Sequence, residues 1–388
     1  MNTIPSIAAL ISEAAPPPAG ERRRVLATLR DNGDVLQVAL ASVVSDSDVV
    51  HVAGDVPEAD LNAPYAVCGA HVWRRSGDSW VRIPTVGLTG GVLARNRGVL
   101  ETEALAGASA AVIGLGSGGS VIADQLARAG VGRLVVIDRD RLEVANVGRH
   151  LCDLTDLGRR KTDAVADRLR ARNPNVCIEK HDFDILEDPD GLALAVEGCT
   201  VLIGGTDGNA SRRVVNALAV ATGRTAIFGR AYTRACGGDV IRVRSDGPCY
   251  ECLFAALSTD EEVTSVRSAG APAYAAEAVR VEPGLALDIA PIAAMCSRLA
   301  IQELVRGRAS SLESLDKDFP GSLFFWANRR EGQFAGWSPM GFGHSALAVH
   351  RWYSARTKRN PSCPTCNEDA FLASLTHRAD LGASRSSS

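Results

Sequence analysis

The chain has no apolar run that would cross a bilayer: Leu134 to Ile137 and Leu285 to Met295 are too short or too interrupted. The opening residues, Met1 to Ala15, lack the basic flank and apolar core of a secretory signal and are broken by Pro16, Pro17 and Pro18. It has no excess of charge of one sign either. With a formal net charge of -3 and 22% charged residues, nothing suggests a nucleic-acid partner. There is no internal repeat. What remains is an ordinary globular composition, 46% hydrophobic, with the cytoplasm as the expected address. In a reducing compartment ten cysteines read as metal ligands or buried thiols rather than a disulfide framework.

At 388 residues the chain exceeds one average domain. The expected division is residues 1–90 as a small N-terminal α+β accessory domain, 91–350 as the main domain, 351–376 as a C-terminal cysteine-knuckle segment, and 377–388 as a disordered tail. In the first part a flexible lead-in with a short helix precedes a helix over Arg22 to Arg30. Strands are expected at Val35 to Val44, Val49 to Ala53 and Ala70 to Arg74. A glycine-rich stretch, Gly87 to Gly91, reads as a linker.

The main domain alternates. Strands are expected at Ala110 to Ile113, Arg133 to Ile137, Thr200 to Gly204 and Thr225 to Phe228, with helices at Ser120 to Ala129, Lys161 to Arg172 and Asn209 to Thr222. That order predicts an α/β, Rossmann-like, mostly parallel sheet with helices on both faces. An antiparallel strand (Gly238 to Arg244), a long polar loop (Leu253 to Arg280), a helix (Leu285 to Gly307) and a strand (Leu323 to Trp326) follow.

Gly114-Leu-Gly116-Ser117-Gly118-Gly119 joins the first of these strands to its helix. Glycines there let the backbone approach a phosphate chain, and the helix start supplies unpaired N–H groups. Asp138 ends the second strand, where it can accept hydrogen bonds from a ribose. These features alone would suit a dinucleotide and a nicotinamide oxidoreductase. Asn146, Arg149 and Lys161 change the balance, because a triphosphate needs several cations close to it. Taken singly, Arg149 and Lys161 could be a solvated loop charge and a helix-start charge. At the next strand end stands Asp207, followed by Arg212 and Asn216 on the helix. An acid there can hold magnesium while a carboxylate attacks the α-phosphate and pyrophosphate leaves; it could also simply cap the helix.

Cys249-Tyr-Glu-Cys252 and Cys363-Pro-Thr-Cys366 are two C-x2-C knuckles, which suit a closed, four-cysteine structural zinc site clipping the tail to the end of the sheet. Redox dithiols are the alternative, without the strand-to-helix context such motifs use.

Together these residues, from about Arg95 to Cys366, resemble the ThiF/MoeB family, which includes the ubiquitin-activating enzymes and the peptide-adenylating enzyme of microcin C synthesis. The resemblance implies that Asp138, Asp140, Asn146 and Arg149 contact ATP beside Gly114, Gly116, Ser117 and Gly119. It further implies that Lys161 meets the phosphates and that Asp207 is linked to magnesium. Arg97 resembles the family arginine that reaches the γ-phosphate from the partner subunit of a homodimer.

The implied activity is ATP- and Mg-dependent adenylation of the C-terminal carboxylate of a small ubiquitin-like or sulfur-carrier protein, with a conjugating enzyme as a further partner. Adenylation of a short peptide is the alternative. A non-catalytic nucleotide-binding scaffold is the alternative of another class. Three positions depart from the family: Gly98 and His150 stand where glutamine is usual, and no cysteine lies between Leu253 and Met295, where a thioester acceptor is usual. Activation that stops at the adenylate is expected, with Cys236, Cys296 or a hydroxyl of Ser258, Thr264, Ser265 or Ser268 as the other acceptors to weigh.

Overall fold

The computed structural model describes residues 5–11, 16–40, 47–87, 91–99, 102–257, 283–308, 315–340 and 347–367. Residues 88–90 of the glycine-rich linker, the hydroxyls of Ser258, Thr264, Ser265 and Ser268, most of the long polar loop and the tail 377–388 lie outside them. The chain divides into two compact units, Met1–Ala94 and Arg95–Ser388.

The first unit is an eight-stranded sheet of β1 (Ile7–Leu10), β2 (Arg22–Arg30), β3 (Val35–Ala39), β4 (Val49–Val52), β5 (Tyr65–Cys68), β6 (His71–Ser76), β7 (Ser79–Ile83) and β8 (Thr85–Val86), ordered β7-β6-β5-β4-β2-β3-β1-β8. Two expectations fail here. Residues 22–30 form a strand, not a helix, and the lead-in carries β1 in place of a helix. With no α-helix among its described residues, this unit is a β-sheet unit, not α+β.

The reason is long-range pairing. Arginine, leucine and alanine favour a helix locally, yet β2 pairs antiparallel with β3 through Leu26 to Arg30 and with β4 through Arg22 to Val25. Val25, fully buried, then joins Val38, Val49, Val67 and Val72 in one core. Each such valine contributes roughly 1.5–3 kcal/mol of burial. On the opposite face Val50, Val52, Leu61 and Ala66 form a second cluster, with Trp73 and Trp80 packed against it.

The second unit opens with α1 (Thr102–Ala106) and alternates β9 (Ser109–Ile113), α2 (Gly119–Ala129), β10 (Arg133–Ile137), α3 (Val144–Val147), α4 (Lys161–Arg172), β11 (Cys177–His181), α5 (Pro189–Ala195), β12 (Val201–Gly204), α6 (Asn209–Thr222) and β13 (Thr225–Ala231). It closes with β14 (Gly237–Val243), α7 (Tyr250–Leu257), α8 (Ala286–Val305), α9 (Leu315–Asp318), β15 (Leu323–Ala327) and β16 (Arg351–Ala355). The sheet is mixed, ordered β11-β10-β9-β12-β13-β14-β15-β16. Strands β11 to β13 pair in parallel; β14, β15 and β16 extend the sheet antiparallel.

Both faces are covered, which explains why the central strands are continuous apolar runs. Ala110, Val112, Leu134 and Val136 point into a core with α2, α4 and α8, while Ala111, Ile113, Val135 and Ile137 point into another with α5, α6 and α7. The strand order reverses between β9, whose chain continues to β10 and β11, and β12, whose chain continues to β13. At such a switch point the helix connections diverge and leave a crevice beyond the strand C-termini. No helix among the described residues is long and apolar enough to cross a membrane.

Candidate functional site

The crevice is built from the turns that leave β9, β10 and β12. Gly114 takes a φ of +92°, and a Cβ there would lie 2.8 Å from the Gly205 carbonyl carbon. Only glycine lets the turn after β9 touch the turn after β12 this closely. Gly119 opens α2, and a Cβ on it would sit 1.9 Å from Gly114 O. Gly116 and Ser117 complete the bend between them. The Ser120 N–H is taken by Gly116 O (3.0 Å), so the seat for phosphate at the start of α2 is the N–H groups of Gly118 and Gly119.

Asp138, at the C-terminal end of β10, fixes this turn. Its Oδ2 accepts from the Leu115 backbone N–H (2.7 Å) and its Oδ1 from the Asp140 N–H (2.8 Å). Lys161, at the start of α4 and 7% exposed, reaches Asp140 Oδ2 at 2.9 Å and Asp138 Oδ1 at 3.9 Å. Burial pushes the Asp138 carboxyl above its ordinary value, against the pull of Lys161 and the two N–H groups. Two acids and one lysine are thus held together at low exposure, which makes their charge state sensitive to any one of them.

Asn146 sits on α3, where its Oδ1 accepts from the Glu143 N–H (3.0 Å) in a capping box, so it shapes the loop leading to Arg149. Arg149 lines a small cleft with Ser117, Val121, Ala286, Leu287, Ile289, Ala290 and Ala293. A Cβ on Gly284 would come within 3.7 Å of its guanidinium and 3.1 Å of Ala235. Arg149 therefore lies half-buried between the glycine turn and the start of α8, beside Gly284. Asp207 lies exposed just beyond β12, three residues after Gly204, on the turn that Gly114 touches.

Arg97 is not brought to these groups within the chain. It occupies an exposed turn, and the neighbouring Asn96 donates to Arg128 O (2.8 Å) at the C-terminal end of α2. The length of that helix, about 16 Å for its span, separates Arg97 from the glycine turn.

The second constellation lies at the start of α7, which follows β14, and on the C-terminal segment. Cys249, Cys252, Cys363 and Cys366 are all buried, with sulfur atoms within 4.8 Å of one another. Cys249 to Cys363 and Cys252 to Cys366 are 3.5 and 3.4 Å apart. Four thiolates at this spacing suit a tetrahedral ion with metal–sulfur bonds of about 2.3 Å.

Several site features were not singled out from sequence. Arg212, noted only as lying on the helix, is 7% exposed and donates to Asn209 Oδ1 (3.3 Å). Burial lowers its pKa from the ordinary guanidinium value, while Tyr250 and Asp207 oppose this. Arg230 donates two hydrogen bonds to Asp239 (2.9 and 2.5 Å), which also accepts from the Tyr232 hydroxyl (2.8 Å). Asn328 ties Ala235 O (3.0 Å) to Asp288 (2.7 Å), and Arg329 meets Asp288 at 2.6 Å. The Asn328 and Arg329 links bridge residues 40 or more positions apart, and the Arg230–Asp239 pair forms only once β13 and β14 are paired in register. Arg212 shares the buried face of α6 with Ser211, Val215, Asn216 and Ala219, while its neighbour Arg213 is exposed, a distinction the sequence alone does not carry.

The ThiF family model matches residues 91–315, more than half of the chain. The sulfur carrier protein adenylyltransferase of Thermus thermophilus is 32% identical over 204 residues, 48% of this chain and 74% of that protein. The SAMP-activating enzyme E1 of Haloferax volcanii is 29% identical over 210 residues, 54% and 73% of the two chains. The ubiquitin-like modifier-activating enzyme 5 of Drosophila grimshawi is 39% identical over 87 residues, so the chain spans about a fifth (22%) of that relative's length. Among solved structures, Escherichia coli MccB with ATP has a similar fold, with a TM-score of 0.50, 19% identity and 68% of each chain covered. With the family match running from the linker across the glycine turn, the Asp138 and Lys161 cluster, Asp207 and the first cysteine knuckle, the chain belongs to the ThiF family.

Proposed function

We propose that the protein adenylates the C-terminal carboxylate of a small ubiquitin-like or sulfur-carrier protein with ATP. The observation that carries this reading is the convergence of the Gly114 turn, the Asp138, Asp140 and Lys161 cluster, Arg149 and Asp207 on strand ends flanking the switch point. The named substrates of the Thermus and Haloferax relatives support it.

The chain's residues then divide the work. Asp138 accepts from the ribose hydroxyls, and the α2 N–H groups with Ser117 seat the phosphates. Lys161 and Arg149 offset the charge that develops as the substrate carboxylate oxygen bonds to the α-phosphorus. The bond from that phosphorus to the bridging oxygen breaks, and pyrophosphate departs with the electron pair. Magnesium held at Asp207 would neutralise the leaving group. The four cysteines would hold a structural zinc ion. Arg97, which its own chain leaves an α2-length away, would act in a second copy across a homodimer. The sheet unit at the N-terminus would recruit the substrate.

Nothing further on the path calls for a thiol. Cys236 and Cys296 are 5% and 0% exposed, and burial raises the pKa of both. Cys177, the one exposed cysteine among the described residues, begins β11 at the edge opposite the crevice. We therefore place the end of the reaction at the acyl-adenylate. The lack of an exposed thiol at the crevice among the described residues favours one second reading with the same chemistry, a short peptide as substrate. A non-catalytic scaffold has no use for Lys161, Arg149 and Asp207 together.

The test is incubation with ATP and a panel of carrier proteins ending in Gly-Gly and of short peptides, with mass detection of the adenylated C-terminus. A carrier product supports the first reading and a peptide product the second. Nucleotide binding without any product would favour the scaffold.

A further inference from the structure

His150 follows Arg149, and both of its ring nitrogens are engaged by backbone. Its Nδ1 accepts the Cys152 N–H at 3.0 Å, and its Nε2 lies 2.7 Å from Leu115 O in the glycine turn. A ring nitrogen that accepts an amide N–H carries no proton. The proton must therefore reside on Nε2, from which it is donated to Leu115 O. The Leu115 residue is thus gripped on both sides, since its own N–H goes to Asp138. A further bond, from the Leu151 N–H to Ser120 Oγ (3.3 Å), fastens the same loop to the first turn of α2.

We propose that His150, as its neutral Nε2–H tautomer, is a positioning residue that couples the Arg149 loop to the glycine turn and makes nucleotide affinity dependent on pH. This rests on the reading of the crevice as a nucleotide site. A second proton can go only to Nδ1, where it would face the Cys152 N–H and break that bond. Two N–H groups then oppose each other, so the ring and the Cys152 segment must move apart; the Nε2–H bond to Leu115 O, stronger from a charged ring, is kept only in a shifted loop, and Arg149 leaves its place beside the turn that seats the phosphates.

The charged groups facing the ring act in opposite senses: Lys161, from the start of α4, disfavours the imidazolium, and Asp156, from the short turn Leu154–Asp156, favours it. Burial is the largest influence and holds the ring below its ordinary imidazole value, with the bond to Leu115 O as partial opposition. The histidine is thus neutral at neutral pH and charges only as the medium turns acidic.

Two measurements test this, on the intact chain. Nitrogen-15 spectra of the histidine rings, with His150 assigned by its disappearance in His150→Gln, should show a neutral Nε2–H ring at about pH 7.5. An Nδ1–H or charged ring there overturns the proposal and requires no variant to be stable. ATP affinity is then followed by titration at about pH 7.5 and about pH 5.5. Glutamine offers an N–H donor and a carbonyl acceptor but does not titrate. Wild type should lose about tenfold more affinity on acidification than His150→Gln, and His150→Ala should bind weakly at both values. Parallel curves for wild type and His150→Gln overturn the coupling. Absence of ATP binding by wild type already at about pH 7.5 would instead remove the nucleotide reading, while the ring tautomer still decides the clamp.

Discussion

Replacing Lys161 by methionine keeps the aliphatic stem packed and removes only the charge. The side chains of Lys161 and Asp138 are each 9% exposed and that of Asp140 is 20% exposed, so the two acids lose a cation that solvent cannot readily replace. Removing one partner of a buried pair costs about 3–5 kcal/mol, and the partial exposure of Asp140 places this case near about 3 kcal/mol. For a unit of this size that lowers Tm by about 6 °C or more.

The sign of the pH dependence follows from Asp138. Its folded-state pKa already lies above the ordinary value because of burial, and loss of Lys161 raises it further. Between the unfolded and folded values the native state binds more protons than the unfolded state, so stability falls as pH rises through that window. The penalty of Lys161→Met should therefore shrink as the pH falls and Asp138 takes up a proton, and be full at about pH 8. Thermal melts of both proteins from acid to that pH read it directly. A penalty independent of pH, or greatest in acid, would refute the reasoning.

Asp207→Ala, at an exposed position, should leave Tm within about 2 °C yet lower adenylation by about a hundredfold or more, read by product formation under saturating ATP. Gly119→Ala places a Cβ 1.9 Å from Gly114 O and should weaken ATP binding, measured by titration, by about tenfold or more. If the four cysteines hold zinc as proposed, elemental analysis should find about one equivalent in wild type and none in Cys363→Ser, with a lower melting temperature, as after prolonged chelation of the wild-type protein. Cys236→Ala and Cys296→Ala should leave adenylate formation intact and no thiol-labile conjugate should appear on a non-reducing gel, since burial raises both thiols' pKa.

The second unit was readable because its strands are buried on both faces. Residues 133–137 and 201–204 are short apolar runs bounded by turn signals, and the glycine turn and helix starts punctuate them. The residues of the crevice are likewise local, each at a strand end or helix start. The first unit was misread where local preference and distant pairing disagree: Arg22 to Arg30 has good helix formers, but the alternation that buries Val25 becomes meaningful only beside β3 and β4. The network around Asp288 was invisible for a related reason, since Asn328 meets it across 40 residues of chain, and that around Asp239 depends on the register that sets Arg230 opposite it on β13 and β14. His150 looked like a plain departure from the family glutamine, and only the positions of Leu115 O and the Cys152 N–H reveal what its ring does.

ATP–pyrophosphate exchange with wild-type protein and with Asp207→Ala, in magnesium and with carrier proteins and peptides in turn, addresses adenylation most directly. Exchange that requires a free C-terminal carboxylate and vanishes in Asp207→Ala is the expected result. Exchange that persists in that variant, or none in wild type with any substrate while ATP still binds, would contradict it.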